Sequence, residues 1–153
     1  MAEGPIITEE MRKNIGVESE PITYEVEKGA INKLAEAIGD PNPLWRDEEY
    51  AKKGPYGGIV ASPTFVISLR HDPFMEKVKQ MASFKRIMNG GNDVEYFQPI
   101  RPGDIISVTG KIADIRERET KTGKMAFLTL ELTYRNHKGD VAAKIKNVII
   151  GFA

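Results

Sequence analysis

The apolar positions of this chain change their period partway along it, from helical spacing in the first half to strand alternation in the second. After a polar start, Thr23 to Val26 is a short extended run. From Lys28 to Ile38, the residues Ile31, Leu34, Ala35 and Ile38 recur at helical spacing, and Gly39 supplies a stop. Asp40-Pro41-Asn42-Pro43 cannot extend that helix, because each proline lacks an amide donor and restricts the residue before it. Asp47 to Lys53 reads as a short helix capped by Asp47 and ended by Gly54, followed by the loop Gly54-Pro55-Tyr56-Gly57-Gly58. Ser62 suits an N-cap and Pro63 the first position of a helix running through Leu69. The residues behind them are apolar on nearly every face, which predicts a buried helix with a sheet wrapped around it.

The second half supplies that sheet. Asp104 to Glu119, Lys124 to Asn136 and Asp140 to Phe152 are long segments rich in Ile, Val, Thr, Phe and Leu. Leu128, Leu130, Leu132 and Tyr134 alternate with Thr129, Glu131 and Thr133, the period of a half-buried strand. Thr120-Lys121-Thr122-Gly123 and His137-Lys138-Gly139 read as hairpin loops. Pro99 and Pro102 bracket a turn, and Phe84 to Phe97 reads as a further strand pair interrupted at Asn89-Gly90-Gly91-Asn92. With no internal repeat and no long linker, the pattern predicts one α+β domain over residues 1–153, helices early and an antiparallel sheet late.

Composition narrows the partners. Lys plus Arg and Asp plus Glu number 22 each, so the net charge is zero and no basic surface for nucleic acid is expected. No apolar stretch approaches the roughly 18–20 residues of a membrane-spanning helix, and Met1-Ala2-Glu3-Gly4-Pro5 lacks the features of a signal peptide. A cytoplasmic location is the expectation. The absence of cysteine excludes disulfides, zinc–thiolate sites and thiol catalysis, and His71 and His137 alone do not make a histidine-rich metal site.

Three segments carry a resemblance to a known family. They are Tyr24-Glu25-Val26-Glu27 with Ala35 to Leu44, then Asp47-Glu48-Glu49-Tyr50-Ala51 with Tyr56 to Phe65, and finally Asp93 to Asp104. In that order, over most of the chain, they resemble the MaoC-like dehydratases of the FAS1-type N-terminal branch. The resemblance implies a hot-dog fold, a long curved antiparallel sheet around a central helix. It also implies hydration or dehydration next to the carbonyl of an acyl thioester, carried by coenzyme A or acyl carrier protein, with no other cofactor and no metal.

Such hydratases orient water with an aspartate and a histidine five residues apart, and place backbone N–H groups at the helix start near the thioester oxygen. Here Asp40 matches the aspartate and Asn42-Pro43 the following turn, but the histidine position is Trp45. Indole has no basic lone pair and cannot take a proton from water. Where active members carry His-Gly, this chain has Ala61-Ser62, and Pro63 offers no N–H, leaving Thr64 and Phe65 as donors. By the resemblance, a degenerate hot dog of this branch shapes the acyl tunnel while a second one, retaining Asp and His, performs the chemistry. Asn42, Trp45, Tyr56, Gly57, Gly58, Ser62, Thr64 and Phe65 are the expected substrate-binding residues, and Asp40 the expected catalytic one.

Each residue also has a plainer reading: Asp40 as a turn former, Trp45 as core or dimer packing, Gly57-Gly58 as backbone geometry, and Ser62 as a helix cap. Thr64 and Ser68 can hydrogen-bond within their own helix. His71 reads as a helix end stabilised by the dipole, and His137 as an exposed hairpin tip. Asn89 to Asn92 is either a bulged hairpin or a loop at the pocket mouth of a neighbouring protomer. Three functions follow: a hydratase component whose hot-dog partner supplies histidine, an autonomous hydratase using Asp40 with Tyr56 or His71, and a non-catalytic acyl-thioester-binding dimer. A hot-dog thioesterase is a weaker fourth. Edge-to-edge dimerisation, as a homodimer or with a second MaoC-like subunit, is expected in every case.

Overall fold

The computed structural model describes residues 5–153. Its centre is a curled five-stranded antiparallel sheet in the order β1-β3-β4-β5-β2. The strands are β1 (Ile22–Glu25), β2 (Arg86–Tyr96), β3 (Ile105–Thr120), β4 (Gly123–Arg135) and β5 (Val141–Phe152). The helices are α1 (Glu9–Lys13), α2 (Lys28–Ala37), α3 (Glu48–Lys52), α4 (Phe65–Ser68) and α5 (Asp72–Met81), with a 3₁₀ turn at Pro43–Trp45. This is the hot-dog arrangement. Among the described residues no helix is long and apolar enough to cross a membrane.

The strand alternation places Ile106, Val108 and Ile112 of β3 and Leu128 and Leu130 of β4 in the core, each at most 1% exposed. The long strands end where read, with Gly123 and Gly139 taking positive φ in the two hairpin loops. One half of the core joins β3, β4 and β5 to α2, α4, Trp45 and Ile100, and the other joins them to α1 and α5.

Helix α2 closes with a C-terminal motif that sets up the next turn. Gly39, at φ 68°, donates to the Glu36 carbonyl, and Asp40 N–H donates to Ala35 at 2.8 Å. The Asp47 carboxylate caps α3 by accepting Tyr50 N–H at 3.1 Å, as its position suggests.

Four expectations are corrected. The polar start contains α1, capped by Thr8 and holding Met11 fully buried. Phe84 to Phe97 is not a strand pair: Asn89 to Asn92 interrupts one strand, β2, as a bulge in its pairing with β5. The central helix does not start at Ser62, whose carbonyl accepts Phe65 N–H at 3.0 Å while Thr64 holds the cap position. Nor is it fully buried: α4 is a single turn with Ile67 43% exposed, and a break at Leu69–His71 separates it from α5.

Pro73 explains the break. In a continuous helix its ring would collide with the Leu69 carbonyl and its missing N–H would cost a hydrogen bond. Instead, the Leu69 carbonyl accepts Tyr134 Oη–H at 3.1 Å and the Arg70 carbonyl accepts Tyr24 Oη–H. His71 is therefore a helix start rather than a helix end. Its Nδ1 accepts Phe74 N–H at 3.1 Å, and its Nε2 lies 2.7 Å from the Glu20 carbonyl. An acceptor Nδ1 with a donor Nε2–H is neutral imidazole, not the imidazolium that a C-terminal dipole would favour.

Candidate acyl-thioester site

The turn after α2 uses its polar side chains on its own backbone. Asp40 Oδ1 accepts Asn42 N–H at 3.0 Å, and Asn42 Oδ1 accepts Leu44 N–H at 3.0 Å. Both are half-buried, and this Asx-type bonding starts the 3₁₀ turn that delivers Trp45 to the core. Trp45 is 9% exposed, and its buried Nε1–H has no hydrogen-bond partner among the described residues.

Trp45 walls a cavity of about 430 Å³. Leu44, Val60, Ala61 and Val66 supply its aliphatic lining, Tyr56 and Pro63 come from the loop and the approach to α4, and Ser62 is a buried hydroxyl among them. The opposite wall is the run Tyr96-Phe97-Gln98-Pro99-Ile100 after β2. The Ala61 N–H···O Ile100 bond of 2.7 Å ties the two walls together. Partial burial pushes the Tyr96 phenol above its ordinary pKa. A mostly apolar hollow with a few hydroxyls suits an acyl chain with a polar head.

Of the residues expected from sequence, Trp45, Tyr56 and Ser62 meet in this cavity, whereas Asp40, Asn42, Gly57, Gly58, Thr64 and Phe65 are not part of its wall. Asn42 and Asp40 stand behind Trp45 in the turn that positions it, and buried Phe65 belongs to the core. Gly57 is required by its φ of 68°, and a side chain at Gly58 would meet open space up to the Arg101 guanidinium 4.0 Å away. Phe65 N–H is committed to Ser62, which leaves Thr64 N–H as the donor at the helix start. The 96–100 wall lies outside the residues expected from sequence; its mark there is the aromatic pair Tyr96-Phe97 before Pro99, apolar residues with no core period to absorb them. A second cavity, of about 510 Å³, lies on the other side of Trp45 toward Asn32 and Arg46, and is bordered by charged side chains.

Residues 13–145 match the family model of the FAS1-like dehydratase domain region. The chain belongs to that family. This dehydratase-family chain is 31% identical over 140 residues to a UPF0336 protein of Saccharopolyspora erythraea, covering 89% of this chain and 87% of that one. It is 34% identical over 99 residues to a UPF0336 protein of Thermobifida fusca, the match covering 63% of this chain and 65% of the relative's length. Its fold is similar to that in the HadBC (3R-hydroxyacyl-ACP dehydratase) complex from Mycobacterium tuberculosis, with a TM-score of 0.77, 19% identity, and coverage of 90% and 97% of the two chains.

Proposed function

We propose that this chain is the acyl-binding component of a hydratase or dehydratase acting on 2-enoyl and 3-hydroxyacyl thioesters of coenzyme A or acyl carrier protein. In this reading a second hot-dog subunit supplies the Asp/His pair. The observation that carries the proposal is the apolar cavity walled by Trp45 at the position where a hydratase of this family would hold its base. The cavity's apolar lining suits an acyl chain, and among the described residues that line it there is no carboxylate or imidazole to act as base. Family membership supports the reaction class, and the HadBC dehydratase, being a complex, supports division of labour between hot-dog chains.

Autonomous hydration is the less favoured reading. His71 is 4% exposed, with both ring nitrogens engaged, and Tyr56 would have to act with an Asp40 carboxylate turned onto the Asn42 amide. That turn equally favours a non-catalytic acyl-thioester binder, which the same experiment separates. The purified chain is assayed for crotonyl-CoA hydration alone and mixed with an Asp/His-bearing hot-dog protein. Activity only in the mixture supports the proposal. Activity of the chain alone, abolished by Asp40→Asn, overturns it. Acyl-CoA binding without turnover in any pairing assigns the binder role instead.

A further inference from the structure

Trp45 stands between two hollows. The acyl cavity of about 430 Å³ lies on one side and the second cavity, of about 510 Å³, on the other. A core side chain normally packs against atoms all round, so an indole flanked by free volume has room to move. Its backbone is held in place. Arg46 N–H and Asp47 N–H donate to the Pro43 carbonyl at 3.2 and 2.9 Å, and Asn42 Oδ1 accepts Leu44 N–H at 3.0 Å. Movement is therefore left to the side-chain torsions.

Among the buried side-chain polar atoms of the described residues, Trp45 Nε1 and Asn32 Oδ1 lack a hydrogen-bond partner. Both residues line the second cavity. One atom is a donor and the other an acceptor, so a single hydrogen bond between them would relieve both. The carboxylates bordering that cavity are already engaged. Asp47 caps α3 through Tyr50 N–H at 3.1 Å, Glu48 pairs with Lys28 at 2.7 Å, and Glu49 pairs with Lys52 at 3.3 Å. Asn32 is the acceptor left for the indole. We infer that Trp45 is a movable wall whose displaced position, with Nε1–H on Asn32 Oδ1, lengthens the acyl cavity. Asn32 is then a positioning residue that sets the chain length accepted. The inference rests on the acyl site proposed above.

Two opposed effects hold the indole where it is in the free chain. Moving it onto Asn32 gains the hydrogen bond, but leaves Val60 and Val66 facing a larger void and without dispersion contacts on that side. An acyl chain long enough to reach the indole fills the vacated space. It favours the displaced position through those contacts, and the bond to Asn32 adds to them. The second cavity suits an indole better than it suits a chain end. With the Lys28–Glu48 ion pair and Arg46 at its border, a terminal methyl gains little by entering. An indole offers its N–H to the amide and its apolar face to Ile59.

Trp45 is the only tryptophan, so isotopic labelling of tryptophan in the full chain gives a single indole N–H resonance. On saturation with decanoyl-CoA that proton should move downfield and exchange more slowly with solvent, as a newly hydrogen-bonded N–H does. Butyryl-CoA, too short to reach the indole, should move it little. Asn32→Leu has a similar branched shape but no acceptor, and should abolish the decanoyl-CoA shift. Its affinity for decanoyl-CoA should fall about tenfold, the worth of one hydrogen bond, while butyryl-CoA affinity stays within about twofold. Asn32→Asp, which keeps an acceptor, should restore both the shift and the affinity. A decanoyl-CoA shift that persists in Asn32→Leu, or that is absent in the wild type although calorimetry shows binding, would overturn the inference and leave the acyl site standing. So would a free chain whose indole resonance moves upfield on Asn32→Leu, since Asn32 would then hold the resting position. Failure of both acyl-CoAs to bind would overturn the acyl site and the inference with it.

Discussion

Tyr134 Oη donates to the Leu69 carbonyl across 3.1 Å, with the tyrosine 1% exposed. That carbonyl is the one Pro73 would obstruct in a continuous helix, so the sheet supplies the partner that the helix cannot. Tyr134→Phe leaves a buried carbonyl unsatisfied and should cost about 1–3 kcal/mol, read as a lower urea midpoint with unchanged slope. An unchanged midpoint would show that the break is held by other contacts.

The same residue gives a pH dependence. Burial first, then the Tyr24 and Tyr96 phenols, push the Tyr134 hydroxyl well above its ordinary value. Its folded value lies above the unfolded one of about 10, so its contribution is complete below that pH and is lost as the pH rises toward the folded value. The stability difference between wild type and Tyr134→Phe should therefore shrink progressively in urea titrations above about pH 10. A constant difference would contradict the assignment.

His71 is expected to matter to the fold and not to the chemistry. His71→Ala removes the cap on Phe74 N–H and the bond to Glu20, and should cost about 1–3 kcal/mol. His71→Asn, which can still cap, should recover part of that loss. Calorimetry reads both. Hydration by the assembled enzyme, per folded molecule, should be unaffected, and a large loss in kcat would return His71 to the list of acids.

Gly110 allows α5 to lie directly on β3: a Cβ at this position would come within 2.5 Å of the Phe74 ring. Gly110→Ala should destabilise by about 1–3 kcal/mol through overpacking. The added Phe74→Leu substitution should recover part of this by vacating the ring. If the alanine variant melts like wild type, the packing of α5 on the sheet differs from that described.

Trp45→His should not create a hydratase in the isolated chain. The substitution supplies an imidazole, but the Asp40 carboxylate remains turned onto the Asn42 amide and the cavity keeps its apolar wall. Crotonyl-CoA hydration by this variant alone should stay at the level of the uncatalysed reaction. A clear gain would mean that Asp40 is free to pair with a histidine at that position.

The three long strands, α2 and α3 were legible because their apolar spacing and caps agree: Asp47 and Gly39 act as their types suggest. The missed elements share a physical reason. In α5 only Phe74, Val78 and Met81 are buried, with charged residues between them, and His71-Asp72-Pro73 reads as a stop when it is in fact a start. In β2 two glycines mimic a turn, and only the pairing with β5 shows a bulge. Trp45, Tyr56 and Ser62, singled out by local motifs, line one cavity. The 96–100 wall follows β2, and its local mark, Tyr96-Phe97 before Pro99, does not say which segment it will meet.

Trp45 is the single tryptophan of the chain and walls the cavity, so its fluorescence reports directly on the central claim. Titration with acyl-CoAs should give a saturable change in its emission, absent with coenzyme A. The affinity should rise roughly fourfold per methylene, about 0.8 kcal/mol each, until the cavity is full. Equal affinities for free coenzyme A and octanoyl-CoA, or no emission change while binding is measured by calorimetry, would contradict an acyl site at Trp45.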